Sequence, residues 1–414
     1  MRIIHILHRS VPGTHGYAIR SRQIVRSLHK KGVDQIVLTS PSQLPLGELD
    51  SERSERIDDV RYFRTCSDAF PATAEVKDDS RVKAVLRVLQ NFSMLRTALK
   101  LAARYQPTIV HAHSPFTCGI VGNIVGRRRN IPTIYEVRGI WEDSHAGRGK
   151  LSENSLQYKG IRYLENLALK RADVCCAICE GLANEIRSRG IQRDRIVVAR
   201  NGVDTTLHVP GPPPEPLMKR LKLDRALTIG YIGYFFRYEG LDLLLQSMPG
   251  LIQEFPNLHL LLVGDGELMP DLREMADQLS LGERVRFTGR VPHEEVADYY
   301  RICDVLALPR RETRETRLVT PLKPLEIMAM GKPLVASDIG GHLEIVQDGL
   351  NGLLFRSEDV PDLVSKLRTL LAQEALRKEL GEKSRTWVET NRDWSILVDR
   401  YINLYSDLAE RSGA

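Results

Sequence analysis

The stretch Thr320–Glu344, TPLKPLEIMAMGKPLVASDIGGHLE, decides how this chain is read. A proline-flanked turn, Pro321–Pro324, leads into a helix-like run, Leu325–Met330. Gly331-Lys332-Pro333 stops that run, a short apolar strand follows at Leu334–Ala336, and Gly340-Gly341 turn the chain again. A loop entering a helix leaves backbone N–H groups unpaired, and the helix dipole adds partial positive charge there. Such an end suits a phosphate. Lys323 would add a full charge on the turn. Glu326, in the first helical turn, would accept hydrogen bonds from the hydroxyls of a ribose or a sugar. Taken locally, two readings fit: a nucleotide-sugar site, or an ordinary αβ unit with a capped helix.

Working outward, 414 residues are too many for one small core and call for two domains or more. Hydrophobic residues make up 42% and charged residues 27%, the balance of an ordinary soluble globular chain. The formal net charge of +6 is mild for this length. It allows an anionic ligand or an anionic membrane surface and does not call for nucleic acid. Six cysteines are too few and too scattered for a disulfide framework, and the CxxC spacing Cys176–Cys179 lies in an apolar run where core packing is expected. No apolar run approaches the roughly 20 residues that span a bilayer. The opening MRIIHILHRS lacks the apolar core and cleavage site of a signal peptide. A reduced, cytoplasmic setting is expected, with peripheral attachment to the inner face of the membrane left open.

Arg2–Leu7 reads as a strand, Tyr17–Lys30 as an amphipathic helix and Gln35–Thr39 as a strand. That βαβ unit implies a parallel sheet whose ligands sit at the carboxyl ends of strands. The loop between lacks GxGxxG spacing, although Gly13 and Gly16 would let a ligand approach the backbone closely. The basic amphipathic pattern Val82–Tyr105 suits either a helix packed on a sheet or one lying on a membrane. After strand Thr133–Val137, Glu136 and Arg138 flank Val137 and share one face. They fit a chemical role or a structural ion pair equally well. His208–Pro216, HVPGPPPEP, reads as an extended linker. The alternation restarts with strands at Leu227–Ile232, Leu258–Val263, Val285–Thr288 and Val305–Leu308. The last helix carries an apolar stripe, Trp394, Leu397, Tyr401, Leu404 and Leu408.

Taken in order, Arg200–Asp204 (RNGVD), Gly264–Glu267 (GDGE), Phe287–Val291 (FTGRV) and Leu322–Gly352 make the chain resemble the GT-B glycosyltransferases of the retaining family-4 group. His113–Phe116 (HSPF), Tyr135–Asp143 (YEVRGIWED) and TPLKPLE are similar to the exosortase-associated exopolysaccharide transferases within it. The resemblance implies an α/β fold of two facing Rossmann-like domains with a central cleft. The N-terminal, acceptor-side domain would span 1–207 and the linker 208–217. The nucleotide-sugar domain would span 218–393, with a crossover helix at about 394–414. It also implies that backbone groups of Arg290 and Val291 meet the base and that Glu326 binds the ribose. Leu322, Lys323 and Gly16 would meet the diphosphate.

Two departures from the family pattern stand out. Many relatives carry a second Glu where this chain has Leu318. Many also carry an Arg and a Lys where it has Tyr234 and Glu239, which leaves Arg237 as the replacement cation. Arg138 occupies a slot where many relatives have a His, and Glu136 and Arg138 are the candidate catalytic pair. The implied reaction is a hexosyltransferase-type transfer from a UDP- or GDP-sugar to a glycan or lipid-linked hydroxyl, with retention of configuration. Neither a cofactor nor a metal is implied. An epimerase acting on nucleotide-sugars, or a non-catalytic sugar-binding protein, are the alternatives.

Overall fold

The computed structural model describes residues 1–13, 16–66, 80–147, 151–224 and 226–412, with side chains from 89 onward in the segment that starts at 80. The chain divides into two compact units. One holds Met1–Ser144, Leu151–Arg200 and Trp394–Ala414, and the other His145–Lys150 and Asn201–Asp393. Each is a Rossmann-like α/β unit built on a mainly parallel sheet.

The first unit runs β1 (Arg2–Leu7), α1 (Gly16–Lys30), β2 (Asp34–Thr39), β3 (Ser54–Ile57), β4 (Val60–Arg64) and α2 (Ser80–Tyr105). It continues β5 (Ile109–His113), α3 (Phe116–Arg129), β6 (Thr133–Val137), α4 (Trp141–Gly147), α5 (Leu156–Arg171), β7 (Val174–Ala177), α6 (Glu180–Ser188) and β8 (Ile196–Val198). The sheet order is β3-β4-β2-β1-β5-β6-β7-β8, and only the β3–β4 hairpin is antiparallel. Strand order therefore reverses at β1/β5, and the crevice of such a sheet opens at the carboxyl ends of those two strands.

Helix α3 is not legible in the sequence, because three glycines lower its propensity and both of its sides are covered. The glycines serve close approach. A Cβ on Gly119 would lie 2.7 Å from the Tyr135 ring, one on Gly122 2.8 Å from Ala112 Cβ, and one on Gly126 2.1 Å from Thr133 Cγ2. Between α3 and α5, Tyr135 donates to Glu165 Oε1 at 2.6 Å. Burial pushes the Glu165 carboxyl up to about 7, and neighbouring Glu142 adds to the rise. The folded state thus holds a proton that the unfolded chain releases near pH 4.3. Stability contributed by this group is full below that pH and is lost as pH rises through about 7. Melting curves are expected to show a loss on the order of 1–3 kcal/mol between pH 5 and 8, with the slope flattened in Glu165→Gln. An unchanged slope in the variant would remove Glu165 as its source.

The second unit runs α7 (Glu215–Leu221), β9 (Leu227–Ile232), α8 (Leu241–Glu254), β10 (Leu258–Val263), α9 (Met269–Gln278), β11 (Val285–Gly289), α10 (Val296–Ile302) and β12 (Val305–Leu308). There follow α11 (Arg314–Leu318), α12 (Lys323–Ala329), β13 (Leu334–Ser337), α13 (Gly340–Leu343), β14 (Leu353–Phe355), α14 (Val360–Ala372) and α15 (Glu374–Asn391). Its sheet is parallel throughout in the order β11-β10-β9-β12-β13-β14, which reverses at β9/β12. The strands are near-continuous apolar runs, as expected of a sheet covered on both faces.

The expectation of an extended linker at 208–217 is corrected. The unit boundary lies at Arg200/Asn201, and the proline-rich stretch belongs to the second unit. There, Arg301 Nη2 donates to Val209 O at 3.1 Å, and Pro214 caps α7, whose Leu217 is buried in the core. Proline density fixes φ and disfavours helix, but it does not prevent an extended chain from packing. The final helix, α16 (Trp394–Ser412), returns to the first unit. Its Trp394, Val398, Tyr401, Tyr405 and Leu408 pack with Ile3, Ile24, Ile109 and Ile134, so the apolar stripe has its partner.

Candidate active site

The loops at the carboxyl ends of β9, β10 and β11 are tied together. Gly233 N–H donates to Val263 O (2.9 Å), Phe235 N–H to Asp265 O (3.0 Å) and Gly264 N–H to Gly289 O (3.0 Å). Across the β9/β12 switch point lies a charged cluster. Lys323 Nζ is 2.8 Å from Glu239 Oε1 and 2.6 Å from the Tyr231 hydroxyl. Arg310, just past β12, grips the same carboxylate with two bonds, Nη2 to Oε1 at 2.8 Å and Nε to Oε2 at 3.1 Å. Burial alone would raise the Glu239 carboxyl, but Arg310 and then Lys323 bring it down to about 2. Burial lowers the Lys323 ammonium, and Glu239 opposes that shift.

The Lys323 side chain runs along the Gly233 backbone, where a Cβ would lie 2.3 Å from Lys323 Cε. Helix α12 has seven residues, so its dipole is small and the charge on Lys323 dominates. Pro324 has no N–H, and the N–H groups of Leu325 and Glu326 bond to Leu322 O at 3.0 and 3.2 Å. Leu322 and Lys323 are therefore the backbone donors this turn still offers. Glu326 is half-buried, and its Oε2 accepts from the Tyr300 hydroxyl at 2.9 Å, which leaves Oε1 for a ligand.

Six of the seven expected nucleotide-sugar residues belong to this unit, and Gly16, the exposed first residue of α1, belongs to the other. Arg237 opens a 3-10 turn, Arg237–Glu239, and is exposed. Arg290 is 76% exposed at the end of β11, with its Nε 3.6 Å from Asp265 Oδ2, while Val291 packs on the core. Arg310 and the pairing role of Glu239 escape the sequence reading. Their signal is the run Pro309-Arg310-Arg311-Glu312 directly after an apolar strand, the place where an α/β sheet puts chemistry.

Glu136 and Arg138 do pair, with Arg138 Nε 2.7 Å from Glu136 Oε1. They stand in a closed network, however, with Glu136 fully buried and Arg138 5% exposed. Arg20 Nε reaches Glu136 Oε1 at 3.2 Å, and the Tyr401 hydroxyl donates to Oε2 and accepts from Arg20 Nη2 at 2.9 Å. Burial would raise the Glu136 carboxyl, but Arg20 and Arg138 hold it well below its usual range. Of the two readings of this pair, the structural ion pair is the one present, at the centre of a buried network, because α16 and α1 cover that face of the sheet.

His5, His111 and His113 join the network, all three pushed down chiefly by burial and so neutral near pH 7. Arg138 Nη2 bonds to His113 Nδ1, so His113 Nε2 carries the proton and donates to His5 Nδ1 at 3.1 Å. The three rings offer nitrogens within 4.8 Å of one another, a spacing open to a cation. Two guanidinium groups against one carboxylate leave the cluster net positive, which opposes one. His5 and His111 are polar residues inside apolar strands, and that was the signal for this network in the sequence. The six cysteines are free and buried, Cys176 and Cys179 included, as core packing requires.

Two Rossmann-like α/β units are the fold shared with the GT-B glycosyltransferases. Residues 15–202 match the glycosyl transferase 4-like domain and residues 216–387 the glycosyl transferases group 1 family. The chain is 26% identical over 303 residues to an uncharacterized glycosyltransferase of Methanocaldococcus jannaschii, covering 73% of this chain and 76% of that one. It is 31% identical over 213 residues to the GDP-mannose-dependent alpha-(1-6)-phosphatidylinositol monomannoside mannosyltransferase of Mycolicibacterium smegmatis, covering 50% of this chain and 56% of the relative. Among solved structures, Anabaena HepE in complex with UDP superposes with a TM-score of 0.73 at 18% identity, covering 98% of this chain and all of that one.

Proposed function

We propose that this chain transfers a glycosyl group from a nucleoside diphosphate sugar, with a uridine or guanosine base, to a hydroxyl of a growing glycan or lipid-linked acceptor in polysaccharide biosynthesis, with retention of configuration. The observation that carries this reading is the Lys323–Glu239–Arg310 cluster at the carboxyl ends of β9 and β12. A relative that uses GDP-mannose on a lipid-borne acceptor and a structural neighbour that holds UDP support the two halves of the donor assignment.

As the glycosidic bond breaks, negative charge grows on the diphosphate. Cations held in place beforehand stabilise that charge without reorganising. Lys323 and Arg310 are held so by Glu239, and exposed Arg237 adds a third charge close in sequence. In this proposal the side chains carry that stabilisation, and neither cofactor nor metal enters a step. Acceptor attack on the face the diphosphate leaves would retain configuration, and the departing phosphate would take the acceptor proton. Arg138 is always charged and makes a poor base. Glu136 acts at one remove by holding Arg20, Arg138 and His113 in place.

Mass spectrometry of the full chain with candidate donors and acceptors tests the reading. A transferred sugar supports it, while a converted donor with no transfer product would identify an epimerase instead. Glu326→Gln is expected to raise KM for the donor about tenfold or more with a smaller change in kcat, since a hydrogen bond to a charged group contributes roughly 1.5–3 kcal/mol. A parental KM would detach Glu326 from the ribose.

A further inference from the structure

Helix α3 packs between α2 and α5, and the three form one layer over the sheet of the first unit. The outer side of this layer carries no carboxylate among its described residues. The three helices contain a single acidic residue, Glu165, which is fully buried. Exposed instead are Arg96 and Lys100 of α2, the run Arg127–Arg129 that closes α3, and Lys170 of α5. Glu52 pairs with Arg104 at the border of the layer.

Large apolar side chains share the surface. Phe92 is 65% exposed on α2, and Leu156 and Tyr163 are 87% and 67% exposed on α5. The two kinds of residue are interspersed, with exposed Lys159 one turn from Leu156 on α5 and exposed Arg96 one turn from Phe92 on α2. Tyr105 O at the end of α2 accepts from Arg2 at the start of β1, so α2 runs from the carboxyl edge of the sheet to its amino edge, and α5, which leads into β7, runs the same way. Leu156 therefore stands toward the carboxyl edge, the edge of the switch point, and Phe92 stands midway along α2. The run Arg127–Arg129 stands at the amino edge, where α3 leads into β6.

We infer that this layer seats the first unit on an anionic lipid bilayer, with the basic side chains among the headgroups and Phe92 and Leu156 reaching the boundary with the acyl chains. A surface that is amphipathic and carboxylate-free matches such a bilayer in both charge and polarity. Nucleic acid would satisfy the charges but leave Phe92 and Leu156 in water. Among the described residues no helix is long and apolar enough to cross a membrane, so seating on the surface is the mode this layer provides. The inference does not depend on the transfer reaction, and its test needs no turnover.

Vesicle flotation of the full chain decides it. The chain is expected to float with phosphatidylcholine vesicles containing phosphatidylglycerol at low salt, and to stay down with phosphatidylcholine alone. Replacing Arg127, Arg128 and Arg129 together by Gln should weaken partitioning about a hundredfold. Phe92→Ser should weaken it about tenfold. Both changes fall on exposed side chains, so melting temperatures should match the parent. Equal flotation on neutral vesicles, a triple variant that floats like the parent, or retention of duplex DNA without flotation would each overturn the inference.

Discussion

Lys323→Ala is expected to cut kcat for glycosyl transfer by two to three decades, with melting temperature close to the parent. Removing one charged donor aimed at developing negative charge costs about 2.7–4 kcal/mol of transition-state stabilisation. Lys323 is half-buried beside Glu239, so its charge acts in a low dielectric where screening by water and salt is weak. The fold should tolerate the loss, because Glu239 keeps both bonds from Arg310. A second variant reaches the same atom from the other side. Gly233→Ala would place a Cβ 2.3 Å from Lys323 Cε and force the ammonium off its position, so it should lower kcat without removing any charge. If single-turnover rates of both variants equal the parent's, the cationic site is elsewhere.

Glu136→Ala should be the most destabilising single change in the first unit. Two guanidinium groups, Arg20 and Arg138, are buried against this one carboxylate. Breaking a buried pair by removing one partner typically costs about 3–5 kcal/mol, because the remaining charge is stranded in the interior. For a unit of this size, that corresponds to a melting point lower by roughly 6–20 °C. Tyr401→Phe removes one hydrogen-bonding hydroxyl from the same network and should cost less, about 1–3 kcal/mol. Calorimetry on the two variants separates the cases. A Glu136→Ala protein that melts with the parent would mean that the two arginines are not confined as described.

These two experiments also separate what was legible in the chain from what was not. Strands β1, β9 and β10 are legible to the residue, because a short, mainly apolar run ended by glycine or a polar turn has few other stable fates. The turn and helix that carry Lys323 and Glu326 are legible too, since prolines and an apolar helical run lie within one short stretch. Helix α3 was not, because its glycines are chosen for contact with Tyr135, Ala112 and Thr133, not for helix propensity. The proline-rich stretch looked like a linker, since composition reports backbone stiffness but not what the backbone packs against.

The amino-acid sequence by itself determined the α/β alternation, the two Rossmann-like units, the family match and the turn that carries Lys323. Each of these is written in local order and periodicity. Tertiary structure alone decided the charge partners. Glu239 and Arg310 lie 71 positions apart and meet only because the sheet sets β9 beside β12. Glu136 meets Tyr401 only because α16 returns to the first unit, and that contact helps to close the buried network around the carboxylate. Residue type sets what a side chain can do, but Coulomb energy and desolvation depend on distance and burial, and these are properties of the folded chain.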